Sequence, residues 1–178
     1  KPSLTRGCIS LFFYVLSIGV QAANAEDLYV SNPGDQLQAG FVLIDSDKPP
    51  ESAMWEPIQL PHLWSRKNID GRIGWYRFPL PTTLFEKPHG VYLWRFSMNT
   101  AVWLNDEFLG DGGRFTEPMA RNWNRPFLYL LPKSAWRPTE NYLYIKLGAY
   151  PSWGNLAPIV IGPYSELRQD YDQRFFLQ

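Results

Sequence analysis

Cysteine is almost missing from this chain: Cys8 is the single one among 178 residues. A disulfide framework or a thiolate metal site needs more. Histidine is scarce as well. His62 and His89 lie far apart, outside any metal-ligand spacing, so no zinc centre is expected. Neither charge sign is in excess, with 17 Lys+Arg against 17 Asp+Glu. A polybasic arm for nucleic acid is therefore lacking, and so is the charge-rich, apolar-poor composition of a disordered chain. There is no Gly-x-Ser-x-Gly, no phosphate loop and no dinucleotide glycine fingerprint. No catalytic residue and no cofactor is expected in this chain. What is plentiful is aromatic and cyclic: 8 Trp, 10 Tyr, 11 Phe and 16 Pro. Such a composition suits β-structure and disfavours a helix bundle. The length suits one ordinary domain with an appendage.

The first 25 residues read as an address. Lys1 and Arg6 make a basic start, residues 8–20 (CISLFFYVLSIGV) an apolar run, and Ala23-Asn24-Ala25 a small-x-small cleavage site. The run is short for a membrane span and right for a signal peptide, with cleavage expected after Ala25; an uncleaved anchor is the alternative. Removal of residues 1–25 takes two bases, no acid and the only cysteine. It leaves 153 residues with 15 basic and 17 acidic side chains, net −2. The absence of any Asn-x-Ser/Thr sequon fits a bacterial periplasm, and the expected location is the periplasmic face of the inner membrane.

The body, residues 26–163, alternates short apolar or aromatic runs with turn residues. Strands are expected at residues 73–80, 91–97, 101–105, 126–131 and 142–147, with weaker ones at 40–44 and 158–161. In the run 142–147, Leu143, Ile145 and Leu147 should face the core, and Tyr142, Tyr144 and Lys146 the solvent. In 91–97, Tyr92, Trp94 and Phe96 should share one face. Asn105-Asp106 is a two-residue hairpin signal, because both residue types tolerate positive φ. Residues 26–36 read as a polar lead-in. The fold class expected from this spacing is all-β: an antiparallel β-sandwich with a short C-terminal helix. That helix is expected over residues 164–178, where Tyr164, Leu167, Tyr171 and Phe175 form one stripe behind Pro163. No stop signal closes the stripe, so the natural protein is expected to continue into a transmembrane region.

Two loops carry the residue types of a binding site. Residues 110–126 (GDGGRFTEPMARNWNRP) hold Arg114, Arg121 and Arg125 beside Asn122, Trp123 and Asn124; residues 149–157 add Trp153 and Asn155. Planar donors next to an indole suit a polar ring ligand, and Arg also suits a carboxylate. The candidate ligand-binding residues are Arg121, Trp123, Asn124, Trp153, Asn105 and Arg114. The structural alternative is that the Arg and Asn side chains tie down long loops and the indoles cap the core. Trp55, Trp75, Trp94 and Trp103 lie at strands and are expected in the core. His62 reads as a turn residue. Asp106, Glu107, Asp111 and Glu117 cluster in sequence but read as turn and loop acids, since a glycosidase pair would come from separated strands.

The order W-E-P-I-Q-L-P-H-L-W (55–64), G-W-Y-R (74–77), A-V-W-L-N (101–105) with Gly110, and N-Y-L-Y-I (141–145) resembles the galactose-binding-like jelly roll at the N-terminus of family 2 glycoside hydrolases. The resemblance covers about residues 38–162, with Asp106 where that family usually has Gly. Residues 97–126 and the tail 161–178 look closer still to periplasmic sensor regions of bacterial membrane histidine kinases and diguanylate cyclases. That resemblance implies an extracytoplasmic sensory domain, non-catalytic here, whose ligand would be a small polar molecule (a sugar or a carboxylate) or a periplasmic protein. It implies a membrane connection through the C-terminal continuation, a homodimer in the full-length receptor, and no nucleic-acid partner. The more distant resemblance implies a carbohydrate-binding domain of a glycoside hydrolase. A free periplasmic structural module is the third alternative.

Overall fold

The computed structural model describes residues 29–30 and 38–176; the expected leader, residues 1–25, lies outside the described residues, as do residues 177–178. Strands β1 (Tyr29–Val30), β2 (Ala39–Val42), β3 (Glu56–Ile58), β4 (His62–Leu63), β5 (Ile73–Leu80) and β6 (His89–Leu93) form the first half. Strands β7 (Asn99–Leu104), β8 (Glu107–Asp111), β9 (Phe127–Leu130), β10 (Asn141–Gly148), β11 (Asn155–Leu156) and β12 (Val160–Pro163) form the second. Among the described residues two α-helices, the one-turn α1 (Trp64–Lys67) and the terminal α2 (Tyr164–Phe176), and two short 3-10 helices at Thr82–Phe85 and Lys133–Ala135 complete the set. Strand order is β3-β2-β5-β10-β7-β8 in one sheet and β1-β12-β6-β9 in the other, with a small β11-β4 pair beside them. Each pairing is antiparallel. The architecture is the all-β antiparallel sandwich with a short C-terminal helix that the spacing predicts, in the jelly-roll form that the resemblance implies.

Alternation builds the space between the sheets. Tyr76 and Phe78 from β5, Val102 and Leu104 from β7, and Leu143, Ile145 and Leu147 from β10 point inward from the larger sheet. Val91, Leu93, Phe127 and Ile161 meet them from the smaller one, and all of these except Phe127 are under 2% exposed. Each such side chain contributes about 1.5–3 kcal/mol by leaving water, so a domain with no disulfide can rest on this core. Gly154 shows how closely it is filled. A Cβ there would fall inside the indole of Trp64, itself fully buried, and Gly154 O also accepts the Trp64 N–H at 2.9 Å.

The opposite face of the larger sheet departs from the expected solvent exposure of Tyr142, Tyr144 and Lys146. Trp75, Trp103 and Tyr144 are buried there as a second cluster, with Trp55, Tyr142 and Phe115 against it. Register places Tyr144 opposite both Arg77 and Trp103, and Lys146 opposite Trp75. The Arg77 guanidinium lies 4.8 Å from the Trp55 ring centroid and 4.9 Å from that of Tyr142. Lys146 is only 5% exposed; its Nζ donates to Ser46 O at 2.6 Å, lies 3.8 Å from Asp47, and sits 4.9 Å from the Phe115 centroid. These contacts satisfy a cation that burial alone would penalise. A second core was invisible in the alternation because its polar positions carry long side chains that cover apolar rings.

Other bounds move: the strands expected at 40–44, 101–105, 126–131 and 158–161 are Ala39–Val42, Asn99–Leu104, Phe127–Leu130 and Val160–Pro163. Tyr29–Val30, inside the expected lead-in, pairs with Ile161 and Val160. The strand expected over 91–97 stops at Leu93, so Tyr92, Trp94 and Phe96 do not share a strand face. Beyond it the backbone changes partner: Ala157 N–H donates to Arg95 O and Ser97 N–H to Asn155 O. His62 is not a turn residue; it pairs with Leu156 in β4 and is 4% exposed. Helix α2 begins directly after β12, with the Tyr164 N–H on Pro88 O, and lies against β6, β9 and β12 through Leu167, which is 2% exposed. Tyr164 and Tyr171 are half-buried, and the side chain of Phe175 lies outside the described set. Among the described residues no helix is long and apolar enough to cross a membrane.

Candidate functional site

Four of the six residues singled out in the sequence meet at one end of the sandwich. Arg121, Trp123, Asn124 and Trp153 line a cavity of about 710 Å³, together with Arg95 and residues of the segments 96–98 and 150–155. Trp123 is 49% and Trp153 77% exposed, a large apolar surface for a soluble fold to leave in water. Phe96 and Met98, both buried, close the floor.

The segment 95–98 holds the walls together. Ser97 Oγ donates to Trp153 O at 2.7 Å, and its N–H donates to Asn155 O at 2.9 Å. On the other side Asn122 N–H donates to Met98 O at 2.6 Å. Asn122 is further fixed by its Nδ2 donating to Asn99 Oδ1 at 3.1 Å and to Gly112 O at 2.9 Å. Both loops with exposed indoles are thus pinned to one central strip. The strip bends sharply: Met98 has φ 42, and Ser152 in the opposite wall has φ 62. A left-handed backbone at a non-glycine residue costs about 1–2 kcal/mol, and such outliers concentrate at functional sites.

Asn105 and Arg114 do not reach this cavity. Asn105 is fully buried, with φ 55, and its amide is committed inside the fold. Nδ2 donates to Ala135 O at 2.7 Å and to Asn141 Oδ1 at 2.9 Å, while Oδ1 accepts the Tyr142 N–H at 2.9 Å. Its turn signal was legible; its interior role depends on residues thirty or more positions away. Arg114 is exposed, in the arm of the loop whose backbone accepts Ala120 N–H and the Asn99 amide. Two of the loop acids are engaged elsewhere: Glu117 pairs with Arg72 at 2.7 Å and Asp111 accepts the Gly113 N–H at 2.8 Å. Arg95 is a cavity residue that sequence reasoning missed, as are Phe96, Ser97 and Met98 beside it. It stood inside an expected strand, although the Ser97-Met98-Asn99 run after it is a weak strand former.

A second concavity, about 590 Å³, is lined by Pro57, His62, Arg66 and Lys67 among others. Its titratable group is internally satisfied. Trp64 Nε1 donates to Tyr76 Oη at 3.0 Å, which leaves the Tyr76 hydroxyl proton to donate to His62 Nδ1 at 2.9 Å. His62 is thereby held as the neutral Nε2–H tautomer. Burial, aided by the Lys67 charge, lowers its pKa to about 4, and burial holds the Tyr76 phenol well above its ordinary value. The folded state therefore resists a proton that unfolded His62 takes near pH 6.5. Stability from this group is complete above that pH and falls as the pH drops toward 4. About 2 kcal/mol should be lost between pH 6.5 and 5 in urea melts, and His62→Gln should flatten that slope. An unchanged midpoint across this window would contradict the assignment.

These features define the class: an antiparallel jelly-roll sandwich with a cavity among its end loops. No protein-family model and no curated protein matches the chain. Solved structures do. The fold is similar to part of a β-glucuronidase from glycoside hydrolase family 2, at 17% identity and a TM-score of 0.55 over 76% of this chain. A glycosyl hydrolase family 2 member from Bacteroides cellulosilyticus DSM 14838 gives 17% and 0.57 over 76% of the chain. A putative β-galactosidase from Bacteroides fragilis gives 14% and 0.54, again over 76%. The chain spans 17%, 20% and 23% of those proteins, respectively.

Proposed function

We propose that this domain is the non-catalytic, extracytoplasmic ligand-binding region of a bacterial membrane signalling receptor, of the histidine kinase or diguanylate cyclase kind. The observation that carries the proposal is how the cavity connects to the terminal helix. The segment 95–98 follows β6, residues 121–124 precede β9, and residues 150–155 lead through β11 to β12 and α2. The three strands against which α2 rests are β6, β9 and β12. A ligand that draws the cavity walls together therefore acts on the helix support, and it shifts the helix to the extent that it favours one of two arrangements.

A thermal-shift panel of sugars and small carboxylates tests the binding step. At least one compound should raise the melting temperature of the chain by several degrees, and Arg121→Ala should remove that rise without lowering the melting temperature of the unliganded protein. A variant that instead melts far below the parent makes Arg121 structural. The likeness to family 2 glycoside hydrolases favours one second reading, an accessory carbohydrate-binding domain of a glycosidase. The sequence downstream of Gln178 separates the two. An apolar run of about 20 residues supports the receptor, and a second β-rich domain supports the hydrolase.

A further inference from the structure

We propose that the loop-end cavity selects a sugar acid, a hydroxylated ring that carries a carboxylate, over neutral sugars and over purely apolar acids. The inference rests on the ligand-binding reading above and adds the charge class of the ligand. Two guanidinium groups, Arg95 and Arg121, line the cavity, and no Asp or Glu does. Among the described residues neither Arg95 nor Arg121 has a carboxylate partner in an ion pair. The cavity thus presents two cations and no acid of its own, so a ligand can supply the carboxylate.

The remaining lining specifies the rest of the molecule. Trp123 and Trp153 present exposed indoles suited to the apolar face of a ring. Asn124, Asn155 and the Ser97 hydroxyl oxygen stand among them as hydroxyl partners, which an apolar ring would leave unused. Arginine forks match a carboxylate with two parallel hydrogen bonds. The wall-to-wall bonds of Ser97 and Asn122 fix the backbone that carries these groups before any ligand arrives, which lowers the ordering cost of binding.

Titration calorimetry with D-glucuronate, D-glucose and benzoate tests this on the unaltered chain. Glucuronate should bind at least tenfold more tightly than either of the others, and its affinity should fall as salt rises, because the guanidinium groups are solvent-facing. Arg95→Gln and Arg121→Gln should each weaken glucuronate tenfold or more. A digalacturonate arm separates sources: tighter binding than glucuronate assigns the end of an acidic polysaccharide, and weaker binding a free sugar acid. Glucose binding as tightly as glucuronate overturns the anion selectivity and leaves the ligand-binding reading standing. Benzoate binding as tightly overturns the requirement for a hydroxylated ring. Binding of none of them overturns the sugar-acid inference, and the thermal-shift panel then decides the ligand-binding reading separately.

Discussion

Asn105→Ala is expected to cost about 3–5 kcal/mol of folding stability and to lower the melting temperature by roughly 10 °C or more. The substitution deprives the buried Ala135 carbonyl and the Tyr142 N–H of their partners, and Asn141 Oδ1 of one donor. Each orphaned buried group costs about 1–3 kcal/mol. Alanine must also adopt the left-handed φ of 55, which adds about 1 kcal/mol. Asn105→Gly removes the same bonds but tolerates that φ, so it should be less destabilised than the alanine variant by about 1 kcal/mol. Urea unfolding of the two variants beside the parent checks both terms. An Asn105→Ala protein within 1 kcal/mol of the parent would show that the amide is not holding the β7–β8 turn to β10.

Gly154→Ala should destabilise by about 3 kcal/mol or more, at or beyond the top of the usual range for overpacking. The added methyl would occupy the space of the Trp64 indole, which has no exposed side on which to retreat. The backbone cannot yield easily either, because Gly154 O is bonded to Trp64 N–H and the next residue, Asn155, pairs with Leu63. The predicted signature is compensation. Trp64→Ala alone should be strongly destabilising, yet in combination with Gly154→Ala the loss should be smaller than the sum of the two single losses, since removing the indole clears Cγ, Cδ2 and Cε2, the atoms the new methyl would meet. Additive losses in the double variant would place the strain elsewhere. Gly154 also adjoins Trp153, so this packing contact anchors one wall of the cavity from behind.

Much of the sandwich was legible because period-two alternation is strong where strands are long. Residues 73–80 are a strand over their whole expected length, and 142–147 extends by one residue at each end. The short pairs β1, β4 and β11 carry two residues each, too few for any periodicity to register. The 91–97 segment looked continuous because Trp94 and Phe96 are good strand residues. It ends because its backbone hydrogen bonds pass to residues 155–157, a long-range choice no local pattern contains. The same switch hid Arg95. Trp123, Asn124 and Arg121 were visible because large aromatic and planar cationic residues in a Gly-rich loop have few local structural uses. Their proximity to Trp153 depends on Ser97, which bonds to the second loop, and on Met98, which bonds to the first.

A ligand that meets the domain at the sandwich-end cavity must lie against Trp123 and Trp153. The most direct measurement follows the indole N–H resonances of the eight tryptophans by NMR while D-glucuronate is added. The Trp123 and Trp153 signals should move in a saturable way while those of the fully buried Trp64 and Trp75 stay in place. Saturable movement of the Trp64 signal with Trp123 and Trp153 unmoved would contradict that placement and put the ligand beside His62.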